Sequence, residues 1–467
     1  MSLTSKNIDK KEYTLFFSVL FTFIVGFSPF KFLAYLMPFI VFILFLRRGI
    51  SKIRVIKFLK IFLLLVLIIP LYYINNYISN SRFLFFNLIL SVLTYSSFIV
   101  LYFVPTINFD NNSYFYYRLI KTLKYILIIE IVVGYIQILI SSILNGFSLD
   151  LAAGDIIQGT INLLSFWHSE LGFNNPIFLC NLIFIILFIS PYLLVNKKYF
   201  LVIFSVLLIL LASSIHIIIC LIFAAFAVFL IFGFLKNVKY FFIVFVFLLI
   251  LILLLAKTQP TNFYLFQTYF TQIFLENTSP KVIALLTSIF NISKDHINIF
   301  IFGLGPGQYT SRASLIASGH FFGSFDNPIN IPFTGDGQIN KLFKEYIYNL
   351  WETTEENVSF YGGSIMAKPF FSQLSVLIEF GLVGYFFLQF LFFYWVKKLK
   401  SLYYKATNQF QKNYIIIILV SSFYIYFLGF FENYWEVTQA IFPGLLLITL
   451  VYKNIKYQNL YENSSNT

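Results

Sequence analysis

The 467-residue chain is 59% hydrophobic and only 11% charged, and Phe and Tyr alone supply 63 and 32 residues. Soluble globular chains carry about 25% charged residues, so a water-soluble enzyme, a secreted domain and a disordered chain are excluded, and a polytopic membrane protein is expected. The net charge of +13 fits basic residues gathered on one side of a membrane, with no nucleic acid as partner.

Apolar runs near the length needed to cross a bilayer mark twelve candidate spans at 13–29, 32–46, 58–74, 83–105, 125–145, 175–195, 199–211, 215–235, 240–256, 373–396, 413–430 and 438–452. The first run follows Lys6, Lys10 and Lys11 and lacks a small-residue cleavage site, so it reads as a retained signal anchor. With the N-terminus inside, strict alternation places the clusters Arg47–Lys60, Arg118–Lys124, Lys197–Lys198, Lys236–Lys239, Lys397–Lys412 and Lys453–Lys456 inside as well. Both termini are then cytoplasmic. The expected fold is an all-α transmembrane bundle. Residues 1–256 form an N-terminal bundle of about nine helices, 257–372 a long, partly helical outside loop, and 373–467 the last three helices and tail. Cys180 and Cys220 lie in apolar runs and read as packing residues, with no disulfide framework, metal site or cofactor implied.

Two outside segments hold the polar chemistry. The segment 146–174 carries Asp150, Asp155, Trp167, His168 and Glu170, and leads into Asn174-Asn175-Pro176, a turn with Asn175 as a plausible helix cap. The loop 257–372 is too aromatic for disorder, and Lys281–Phe290 has the period of a short amphipathic helix. Further along, Gly303-Leu304-Gly305-Pro306-Gly307-Gln308-Tyr309 is followed by Arg312. Glycines at alternate positions permit unusual backbone angles, and their free amides can form a concave anion site. Arg312 adds a forked cation suited to phosphate. On the glycines alone a tight turn is the simplest account. Glu379-Phe380-Gly381-Leu382-Val383-Gly384 marks the return to the membrane, where the glycines suit close helix packing and the carboxylate is either solvated or functional.

Together these three signals resemble the O-antigen polymerase and ligase superfamily, whose members are called Wzy-like. That family is similar in its many spans, its late outside loop with a G-x-G-P-G-x-Y strand, its E-x-G signature at the following helix, and an N-P turn closing an earlier loop. Departures are visible. His168, Ser169 and Glu170 stand where an Arg often precedes the N-P turn, Ser213-Ser214-Ile215-His216 replaces a Ser-Arg pair, and Phe370-Phe371 replaces the His-Asn of many ligases.

The resemblance implies a polymerase on the outer face of a bacterial cytoplasmic membrane. It would join oligosaccharide repeat units carried on undecaprenyl pyrophosphate, without a metal. Membrane lipids, a chain-length regulator and a flippase are the implied partners. Such chemistry needs cations or amides for the leaving pyrophosphate and a base for the acceptor hydroxyl. Arg312, Gly303, Gly305, Gly307, Tyr309, Lys281, Lys368 and Glu379 are the candidate substrate-binding residues, and His168, Glu170 and His216 the candidate catalytic ones. A lone His in an apolar run is more often a satisfied core residue. Glu130 draws suspicion as a carboxylate within a span, although Lys124 could neutralise it. Outside aromatics such as Tyr346, Trp351, Tyr361 and Trp435 suit sugar rings and equally an interfacial belt. The alternatives are a flippase for the same lipid-linked oligosaccharide and the ligase of the same superfamily.

Overall fold

The computed structural model describes residues 10–47, 52–106, 113–145, 156–165, 174–212, 214–232, 253, 256–257, 260–276, 278–320, 332–356 and 368–465. It is all-helical, with 81% helix and no strand among the described residues. In chain order the helices used below are α1 (Lys10–Gly26), α2 (Lys31–Leu46), α3 (Lys52–Val66), α4 (Ile69–Ile78), α5 (Phe85–Thr94), α6 (Ser96–Val100), α7 (Tyr114–Asn145), α8 (Asn174–Val195), α9 (Tyr199–Leu211), α10 (Ile215–Ile231), α11 (Pro260–Phe274), α12 (Pro280–Leu286), α13 (Ile297–Phe302), α14 (Arg312–Ala317), α15 (Asn349–Glu356), α16 (Ser372–Glu379), α17 (Gly381–Lys405), α18 (Gln409–Leu428) and α19 (Thr438–Ser465).

Five of these, α7, α8, α17, α18 and α19, are long and apolar enough to cross a membrane, while α2, α9 and α10 are shorter apolar helices. The sequence reads 83–105 as one span; in the structure it is two helical pieces bent by 54° at Tyr95. The expected span 373–396 is also broken, because α16 ends at Glu379 and a turn at Phe380–Gly381 precedes α17. The expected span 240–256 lies almost wholly outside the described residues.

Side-chain hydrogen bonds fix which helix ends lie together. Asn181 Nδ2 near the start of α8 donates to Gly26 O at the end of α1 and to Gln439 O at the start of α19. At the other end, Tyr414 of α18 donates to Phe188 O of α8 and to Tyr116 OH of α7, and Lys453 Nζ of α19 donates to Leu101 O, Tyr102 O and Val104 O. Arg118 and Lys124 of α7 and Lys412 of α18 belong to this second end by their positions along the same helices, Lys198 follows the end of α8, and Lys398 of α17 stands over the Tyr452 ring of α19. Cations thus gather at one face of the bundle, and the opposite face carries the starts of α8, α10, α17 and α19.

Two apolar cores divide the molecule. The larger joins α1, α2, α7, α8, α10, α18 and α19 around Phe23, Phe178, Cys180, Tyr424 and Phe442. Cys180 and Cys220 are both buried free thiols. The smaller core holds Ile299, Leu304, Tyr309, Leu342, Phe343, Trp351, Phe370 and Leu374, drawn from the long loop and α16. It packs at the face opposite the basic residues and positions the polar cluster described next.

Candidate functional site

The glycine segment 303–311 and the end of α16 interlock. All three glycines have left-handed φ values, +94° at Gly303, +103° at Gly305 and +79° at Gly307, so the segment is a chain of turns and not a strand. A Cβ at Gly303 would lie 2.4 Å from Glu379 O, and one at Gly381 would lie 2.4 Å from Gly303 N. The two backbones touch because neither carries a side chain there. Leu304 N donates to Ile378 O at 3.0 Å and Gly305 N to Glu379 O at 2.8 Å.

The amides do form an anion-binding concavity, and a carboxylate of the chain itself fills it. Glu379 Oε2 accepts from Gly307 N at 2.7 Å, and its Oε1 accepts from Tyr309 N at 2.9 Å and Ser311 N at 3.3 Å. Burial pushes the carboxyl up to about 7, against the pull of these hydrogen bonds. The expected substrate role of Gly303, Gly305, Gly307 and Glu379 therefore becomes an internal one. Tyr309 is fully buried, with its hydroxyl 2.9 Å from Ser288 Oγ, so it is a core residue and presents no ring to a sugar.

This lock delivers Arg312 to the first position of α14. Ser311 caps the helix by accepting from Ser314 N. Arg312 Nε donates to Tyr35 OH of α2 at 2.7 Å, and the residue is only 7% exposed. Against it sits the turn 430–437 between α18 and α19. Asn433 Nδ2 donates to Thr310 O at 2.7 Å, Ser372 Oγ to Glu432 O at 3.2 Å, and Ala313 N to Glu436 Oε2 at 3.4 Å. Glu432 and Glu436 are 1% and 0% exposed. Both carboxyls are pushed up first by burial, Glu436 to about 8, and the Arg312 guanidinium pulls both down.

Lys281 joins the cluster from α12. Its Nζ donates to Lys368 O and Phe370 O, both at 2.9 Å, and lies 4.0 Å from Glu432 Oε2. Burial lowers its amine to about 8 although Glu432 opposes the shift. These contacts make it a staple for the chain entering α16, whereas the sequence places it against substrate. We expect Lys281→Met to lower stability by roughly 3–5 kcal/mol, because it strands a buried carboxylate. The double variant with Glu432→Gln should recover most of the loss in the detergent melting temperature; equal melting of single and double variants would remove the pairing argument.

The remaining candidates are placed as follows. His216 Nε2 lies 2.7 Å from Tyr434 OH, beside the Phe431 ring, at the rim of the same cluster. Asn175 donates to Ile157 O at 2.8 Å and Ala212 O at 3.0 Å and accepts from Ser214 Oγ, tying the starts of α8 and α10 together. Lys368 is half-buried, and its carbonyl receives Lys281. Glu130 accepts from Thr160 N at 2.9 Å and Thr160 Oγ1 at 2.6 Å, which replaces the expected pairing with Lys124. His320 contacts Asp336 at 3.3 Å. His168 and Glu170 lie outside the described residues.

Sequence reasoning missed Glu432, Asn433 and Glu436. Their signal was Phe431-Glu-Asn-Tyr-Trp-Glu, two acids between apolar spans in a chain with only 19 acidic residues. Among the described residues no group of three or more His, Cys, Asp or Glu side chains could hold a metal ion.

The class defined so far is an all-helical protein with several membrane-length apolar helices and a buried ionic cluster at one end of the bundle. No family model, curated protein or solved structure matches the chain.

Proposed function

We propose that the chain is an envelope polysaccharide polymerase of the Wzy-like type. It would join oligosaccharide repeat units linked to undecaprenyl pyrophosphate at the outer face of a bacterial cytoplasmic membrane. The observation that carries this reading is convergence. The glycine segment, the Glu379–Gly381 signature and the helix starts near Asn175 and His216 are far apart in sequence, yet they lie at one end of the bundle around Arg312. Arg312 is the donor for the departing pyrophosphate, its charge held in a site of low dielectric.

The gathering of cations at one end of the bundle supports a topology in which that basic end is the cytoplasmic one. On that topology the cluster faces outward, where lipid-linked repeat units are polymerised.

The test is the glycan ladder of a strain deleted for the gene. We expect single repeat units only, a ladder restored by the wild-type gene, and polymer reduced at least about 100-fold with Arg312→Ala at equal protein level. Arg312→Lys should restore little, since it loses the fork. Lipid-linked units retained on the cytoplasmic face in the deletion would instead indicate a flippase, and an unchanged ladder would remove this function.

A further inference from the structure

We infer that Glu436 is the general base of the proposed glycosyl transfer, taking the proton from the acceptor sugar hydroxyl beside Arg312. The inference rests on the polymerase reading and deepens it. One oxygen of Glu436 is fixed by the structure: Oε2 accepts from Ala313 N, the residue next to Arg312. The other, Oε1, is buried and completes no hydrogen bond of normal geometry, and the donor close to this carboxyl is the Tyr95 hydroxyl, which completes none either. A buried carboxylate oxygen that completes no hydrogen bond is rare, because the lost solvation is not returned. Nearby in the chain, the buried hydroxyls of Ser314 and Thr438 also make none. An oriented carboxylate whose second oxygen completes no hydrogen bond suits a sugar hydroxyl as partner.

The other acids are otherwise engaged. Both oxygens of Glu379 are taken by backbone amides, Glu432 lies against Lys281, and Glu130 is held by Thr160. His216 faces Tyr434. Glu436 alone of the described buried acids has an oxygen adjoining the Arg312 helix start and no completed hydrogen bond to the other.

The step balances. The acceptor hydroxyl oxygen bonds to the anomeric carbon as its proton passes to Glu436 Oε1. The bond from that carbon to the pyrophosphate oxygen breaks, and polyprenyl pyrophosphate leaves with the electron pair, its charge met by Arg312. Glu436 then returns its proton to water or to the departing pyrophosphate. The charged and titratable groups facing Glu436 are Glu379 and Arg312, with the Tyr95 hydroxyl close enough to hydrogen-bond to its carboxyl. With burial and Glu379 holding its carboxyl up to about 8, the proton-accepting form grows as pH rises. The rate should climb about tenfold per unit below that value and level above it.

The experiment uses membranes of the deletion strain carrying wild type, Glu436→Gln or Glu436→Asp, which contain the strain's own lipid-linked repeat units. Polymer formed is measured on both sides of about pH 8, with protein level and co-purified lipid-linked units scored in parallel. We expect Glu436→Gln to lose about 10²–10⁴-fold in rate, to keep its level and bound donor, and to lose the rising limb, while Glu436→Asp keeps that limb at reduced rate. Wild-type rate in Glu436→Gln would overturn the inference and leave the polymerase standing, as would loss of protein or bound donor in step with the rate in both variants. Failure of the wild-type gene to restore polymer would instead strike the polymerase reading itself.

Discussion

Alanine at Gly303 should prevent the long-loop layer from seating on the bundle. Two independent costs meet at this position. The native φ of +94° is one that an L side chain rarely adopts. The added Cβ would also lie 2.4 Å from Glu379 O and 2.6 Å from Phe380 C, and these are backbone atoms that no rotamer change can move. Together they amount to at least about 3 kcal/mol, a large share of a typical folding free energy of about 5–15 kcal/mol. Gly381→Ala meets the same wall from the other side, with Gly303 N at 2.4 Å and Ile301 O at 2.5 Å. Gly337, where an added Cβ would meet nothing within 4 Å, is the control and should tolerate Ala within about 0.5 kcal/mol. Size-exclusion profile and melting temperature after detergent extraction read all three. Wild-type behaviour of Gly303→Ala would mean that the two backbones can separate without loss.

The parts of this fold legible in the sequence are those that a membrane selects by composition. The helices α7, α8, α18 and α19 stand out as apolar runs, and the gathering of lysines and arginines at one end follows from the same physics. What escaped is tertiary. Residues 373–396 read as one apolar run, since nothing local announces the break at Phe380–Gly381; the break exists because Gly303 occupies the space beside it. The bend at Tyr95 is similarly hidden inside an apolar stretch. At the site, the residues of the glycine segment were visible and their partner was not. A row of amides looks the same in sequence whether its anion is a ligand or Glu379. Lys281 is the parallel case, a cation whose acceptors are two carbonyls at the start of α16. Glu432 and Glu436 read as an ordinary polar turn between spans, because their burial is created by the loop layer that closes over them.

That closure makes Glu379 the side chain whose loss should be felt most widely. Glu379→Ala leaves the amides of Gly307, Tyr309 and Ser311 without their acceptor. At about 1–3 kcal/mol for each buried donor left unpaired, several kcal/mol should go, with Arg312 losing its fixed position along with the segment. Glu379→Gln is milder, since one oxygen can still accept while the amide nitrogen opposes a donor. The pH dependence gives the finer test. The folded carboxyl sits near 7 against an ordinary 4.5, so between these values the folded chain holds a proton that the unfolded chain has released. Stability from this group is therefore fully present below about pH 4.5 and is lost as pH rises through about 7, a change of about 3 kcal/mol. Glutamine does not titrate, so wild type should exceed Glu379→Gln most in acid, and the gap should narrow as pH rises through neutrality. A gap that widens instead, measured as the difference in melting temperature across that range, would mean that the amides stabilise the anion by more than burial penalises it. The segment before Arg312 would then be built around a permanent negative charge.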